Sequence, residues 1–144
     1  MKTLVRGIVV AALAVSTVGC MHTKQMVDQG IPMQGTSTTP AGEGTVSALK
    51  SKDGNTALRV NVKHLAPANK VDEEANVYVV WVEPPNGTPQ NVGVLSVNND
   101  REGTLNTLTP HSSFRVIITP ERSGQVSEPS GDELFTSTVE RREN

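Results

Sequence analysis

The chain carries one cysteine, one tryptophan, one tyrosine and two phenylalanines in 144 residues. A single thiol excludes an internal disulfide, so a folded domain here holds by packing alone. So few aromatics leave the core mainly to aliphatic side chains grouped around Tyr78, Trp81, Phe114 and Phe135. No apolar run approaches the roughly 20 residues that a membrane-spanning helix needs. A basic excess is missing too: the formal net charge is −2. Nucleic acid is therefore not expected as a partner, since phosphate recognition requires a cationic footprint. The sequence also lacks a Gly-x-Ser-x-Gly elbow, an HExxH pair, a phosphate loop and a dinucleotide fingerprint. The expectation is a non-enzymatic protein with no cofactor.

What is present begins at the N-terminus. Lys2 and Arg6 precede an apolar run over residues 8–15, IVVAALAV, which is the layout of a secretory signal. Directly after it, Thr17-Val18-Gly19-Cys20 resembles the lipobox of bacterial lipoproteins, in which a small residue precedes a cysteine that is acylated and becomes the new N-terminus. The sequence departs from that family pattern at Thr17, where leucine is usual. Ala14-x-Ser16 offers an ordinary small-x-small cleavage site as the alternative, and would leave Cys20 a free thiol in an oxidising compartment. Lipidation gives that thiol a chemical role and two or three acyl chains, enough for stable anchoring. The resemblance implies a lipid-anchored envelope protein. Met21 stands where aspartate would favour inner-membrane retention, so in an envelope of two membranes the resemblance implies the outer membrane, facing the periplasm, with the cell surface as the alternative. Removing residues 1–20 takes away Lys2 and Arg6 and no acidic residue, which moves the formal charge from −2 to −4.

The domain division read from composition is a signal peptide over 1–19, a lipidated cysteine with a polar linker over 20–43, a β-domain over 44–140 and a charged tail over 141–144. The linker is rich in Gln, Gly, Thr, Ser and Pro; as a flexible coil of ~23 residues its root-mean-square reach is roughly 25 Å. Beyond it the pattern becomes period two. In ALRVNVK, Leu58, Val60 and Val62 share one face while Arg59, Asn61 and Lys63 share the other, which predicts a half-buried strand. The Asp53-Gly54 pair before it predicts a hairpin turn. VYVVWV, residues 77–82, is an unbroken apolar run that suits a central strand covered on both faces. Further strands are predicted over 45–50, 91–97, 104–108, 113–119 and 134–139. Seven short strands with no helical period predict an all-β fold, a seven-stranded antiparallel immunoglobulin-like sandwich, close to the ~100 residues typical of such domains. Strands 45–50 and 134–139 are expected at exposed edges, open to a partner strand.

Tyr78-x-Val80-Trp81-Val82, Gly87-x-Pro89-Gln90-x-Val92-Gly93-Val94-Leu95, Leu105 and Leu108, then Phe114-x-Val116-x-Ile118-Thr119-x-Glu121 together resemble the C-terminal extracytoplasmic domain of anti-sigma-K factors. The resemblance implies an all-β extracytoplasmic domain. It does not imply sigma-factor control, because a lipid anchor stands here in place of a sigma-binding segment and a transmembrane helix.

Three sets of residues are candidates for chemistry. Met21, His22, Met26 and Met33 are soft ligands within one short stretch, and thioether with imidazole selects Cu(I); a metal-binding or small-ligand lipoprotein is therefore the alternative function. His64 and His111 require convergence with a third group to form a zinc or catalytic site. The turn Asn98-Asn99-Asp100-Arg101-Glu102-Gly103 has oxygen ligands as calcium loops do, but hairpin chemistry explains the same residues. The expected role is protein interaction or structural support at the membrane surface, with another envelope protein as partner.

Overall fold

A computed structural model describes residues 30–143. The fold is all-β, with a four-residue helical turn, α1 (Ala68–Val71), as the single helix among the described residues. The strands are β1 (Ile31–Gly35), β2 (Glu43–Lys50), β3 (Thr56–Lys63), β4 (Val77–Glu83), β5 (Gln90–Leu95), β6 (Gly103–Thr109), β7 (Ser113–Glu121) and β8 (Phe135–Glu140). They form one antiparallel sheet of eight strands in the order β5-β4-β7-β8-β1-β2-β3-β6. Its two ends approach each other: Val97 bridges Gly103, and the Thr107 hydroxyl donates to the Val92 carbonyl at 3.1 Å. The sheet is thus nearly closed.

Two boundaries change. The expected linker 20–43 does not extend through residues 31–43, because β1 joins the sheet. Its first half pairs with β2 (Ile31↔Val46, Met33↔Gly44) and its end pairs with β8 (Gln34↔Thr136, Gly35↔Phe135). Only Met33 of the five residues is buried, so the strand reads as polar linker in sequence. Gly44 explains the tight seat: a Cβ there would stand 3.1 Å from the Met33 Cβ and 3.2 Å from the Phe135 ring. The charged tail changes as well. Arg142 bridges Leu49 in parallel, its N–H donating to Ala48 O and its carbonyl accepting from Lys50 N–H, both at 3.0 Å. Strands β2 and β8, expected at open edges, are both interior for the same reason: β1 and the C-terminal arm occupy their outer sides.

Period two sorts the side chains. Leu58, Val60 and Val62 of β3, Tyr78, Val80 and Val82 of β4, and Phe114, Val116 and Ile118 of β7 enter the main core, joined by Phe135 and Met33. Tyr78 reaches across it to donate to Ala66 O at 2.6 Å, and burial pushes its phenol up to about 12. The alternate positions of β4 and β7 make a second core on the sheet's outer surface. Val79, Trp81 and Ile117 lie there, with Val77 and Val126 packed against them. Val126 belongs to the β7–β8 connection, residues 122–134, which crosses this surface as a strap.

The strands define two poles. One holds the β2–β3 turn, the β6–β7 turn and the end of β8. The other holds the β3–β4 crossover and the β5–β6 turn. Strand β1 runs antiparallel to β2, so its N-terminal end points toward the first pole.

Candidate functional site

Cys20, Met21, His22 and Met26 lie outside the described residues. Met33 is 7% exposed and belongs to the main core, where it meets Gly44 beside the Phe135 ring. Its thioether is therefore packing, and the soft-ligand set loses that member. His64 and His111 do not converge. Lys63 ends β3 next to His64, whereas Thr56 begins β3 and donates its hydroxyl to His111 O at 2.7 Å. The two histidines are thus a strand length apart, about 25 Å. His64 takes a left-handed turn conformation, φ 55°, which histidine tolerates better than most residues. The His111 ring meets Gln90 Oε1 at 3.2 Å. In the Asn98 turn the Asn98 Oδ1 accepts from the Asp100 and Glu102 N–H groups at 3.0 and 2.9 Å, and Arg101 takes φ 62°. That oxygen is engaged in turn formation. Among the described residues no three His, Cys, Asp or Glu side chains gather as a metal site.

Two places on the outer surface carry features that period-two packing does not use up. The first is the strap. Trp81 Nε1 donates to Thr119 Oγ1 at 2.8 Å, and the Thr119 hydroxyl donates to Glu121 Oε1 at 2.6 Å. Glu121 is 1% exposed and also accepts from Ser130 N–H at 2.9 Å, Gly131 N–H at 3.3 Å and the Ser130 hydroxyl. Burial pushes its carboxyl up, but the bonds from Ser130 and Thr119 outweigh burial and hold it below the ordinary carboxylate range. Gly131 is required at this approach, since a Cβ there would collide with Pro120 O. At the strap's other side Asn91 Nδ2 donates to Gly124 O at 3.0 Å and Val126 O at 2.9 Å. The carboxylate is fully used in holding the chain to itself.

The second place is a hollow of about 410 Å³ on the outer surface of β2, β3 and β6. Ser47, Leu49, Ala57, Arg59, Asn106 and Leu108 line it, the outward positions of three neighbouring strands. Small side chains at Ser47 and Ala57 make it concave. Leu108 is 56% exposed, the one large hydrophobic side chain exposed among the described residues. Arg59 donates from Nε to Asn106 Oδ1 at 2.8 Å, which fixes its guanidinium on the hollow's wall. The lining has a cation, apolar walls and no carboxylate or imidazole. It is suited to contact and not to proton transfer.

Sequence reading passed over this surface although one signal was available. Leu105 and Leu108 are an odd number of residues apart, so an unbulged strand must put them on opposite faces. Register places Leu105 opposite Val60 of the core and Leu108 opposite exposed Ala57.

In comparison with known proteins the chain matches no family model, no curated protein and no solved structure.

Proposed function

We propose that this protein is a non-enzymatic, lipid-anchored envelope protein, held through Cys20, whose β-domain acts by contact with a neighbouring envelope protein or as support in a larger assembly. The orientation of β1 carries the reading: the chain enters the domain from the side of the first pole, which leaves the opposite pole facing away from the anchor. The charges follow the same axis. Glu43, Asp72, Glu73, Glu74, Asp100 and Glu102 crowd the far pole, against Lys63, Lys70, Arg101 and Arg122. Strands β2 and β8 are interior, so a partner strand cannot add to either of them.

The seven strands β2 to β8 also support the immunoglobulin-like sandwich. With β2, β3 and β6 on one side and β5, β4, β7 and β8 on the other, the order follows the A-B-E and C′-C-F-G arrangement, and β1 is an added strand that ties the two sides together.

The test is mass spectrometry of the mature N-terminus, coupled to crosslinking in intact envelopes. A diacylglyceryl mass on Cys20 and a partner crosslinked near the far pole are the expected results. A chain cleaved after Ser16 with a free thiol, or no crosslinked partner where other lipoproteins capture theirs, overturns the reading.

A further inference from the structure

We propose that the hollow on β2, β3 and β6 is a lipid-facing surface: the first pole rests on anionic headgroups, with Leu108 and Leu49 at the acyl boundary and Arg59 among the phosphates. This rests on the lipid anchor argued above and adds what that anchor brings the domain against.

Four observations converge. The hollow is an open feature with apolar walls, and it is lined by Leu108, the one large hydrophobic side chain exposed among the described residues. It lies at the first pole, since Leu108 and Ala57 adjoin the strand ends Thr109 and Thr56. Charge there suits an anionic surface. On the hollow's side of that pole Lys50, Lys52, Arg59, Arg141 and Arg142 stand against Asp53 and Glu143, while Glu140 ends β8 at the same pole and Glu83 and Glu133 are engaged with Arg115 on the opposite side of the domain. The far pole carries the acidic excess, so the domain's charge distribution turns this pole toward phosphate. Finally, β1 points its N-terminal end this way, and only nine residues lie between Cys20 and Gly30. A chain that short spans at most about 35 Å, so the domain cannot drift far from the lipid.

Lipid fits better than a second copy. Three strands about 4.8 Å apart and eight residues long present roughly 400 Å² of face, against the about 800 Å² that each partner contributes to a standard protein interface. Small area suffices at a bilayer when an anchor already supplies a high effective concentration.

The experiment uses the full, natively processed chain on vesicles. If Cys20 is acylated, an introduced cysteine is the only free thiol. A fluorophore is placed at position 108 (Leu108→Cys) or at position 73 (Glu73→Cys), and quenching by brominated lipid is read in phosphatidylcholine vesicles with and without phosphatidylglycerol. Quenching at 108 is expected to exceed that at 73 several-fold, to deepen with phosphatidylglycerol and to fall back with Arg59→Glu. Equal quenching at the two sites in a chain whose Cys20 carries its acyl mass overturns this inference and leaves the anchor intact. An unmodified Cys20 overturns both. Protection at 108 in whole envelopes but not on lipid vesicles gives the hollow to a protein and also overturns it. A label at Lys52→Cys, in the neighbouring exposed turn, repeats the test if Leu108→Cys disturbs folding.

Discussion

The outer surfaces of β4/β7 and of β2/β3/β6 start from similar strands and end differently. Both place apolar side chains on the side turned away from the main core. On β4 and β7 those are Val79, Trp81 and Ile117, and the chain covers them with its own strap, fastened by Glu121 and Asn91. On β2, β3 and β6 they are Leu49, Ala57 and Leu108, and no segment among the described residues crosses them. The difference lies in what holds the cover. A strap laid over apolar surface must satisfy its own backbone groups, and here a buried carboxylate and an amide side chain do so. The open surface has no such fastening, and its one charged group, Arg59, is a cation suited to an external anion. The covered surface belongs to stability, and the open one is the surface we propose for contact.

That division is exposed to failure in several ways, which can be ranked. Trp81→Ala is expected to cost about 3 to 5 kcal/mol in urea unfolding, because it empties the space beneath the strap. Glu121→Ala removes the acceptor shared by Thr119, Ser130 and Gly131 and is expected to cost about 2 to 4 kcal/mol. Acid should act through the same group. Its folded-state carboxyl titrates below the unfolded one, so its contribution is present above the unfolded value and is lost as pH falls through the folded value. Trp81 fluorescence should therefore report loosening of the strap on the acid side, and a wild-type-like acid transition in Glu121→Gln would break the assignment. Asn91→Ala, which frees two strap carbonyls, is expected to cost about 1 to 2 kcal/mol. Leu108→Ala, on the open surface, should stay within about 0.5 kcal/mol of wild type. A loss there comparable to that of Trp81→Ala would erase the distinction.

Much of this architecture was legible in the sequence, for reasons that also explain where reading stopped. The alternation in ALRVNVK and the unbroken VYVVWV are local signals, and β3 and β4 follow them closely. The cover over Trp81 is not local: the residue that packs on it, Val126, sits in a polar connection whose composition resembles any loop. Strand β1 escaped for a related reason, since Ile31-Pro32-Met33-Gln34-Gly35 contributes one buried side chain and owes its place to the partners β2 and β8. With β1 in the sheet, Met33 becomes a core residue and the separation of His64 from His111 along β3 ends their pairing. Leu108 was readable from its spacing to Leu105, but the hollow required the register of three strands, which sequence does not supply.

One measurement addresses both surfaces together. Hydroxyl-radical footprinting of the full anchored chain, on zwitterionic and on anionic vesicles, reads Trp81 and Leu108 in the same sample. Trp81 should resist modification on both vesicles, while Leu108 should be modified on the zwitterionic surface and shielded on the anionic one. Modification of Trp81 at the rate of Leu108, or a Leu108 indifferent to lipid charge, would contradict the account.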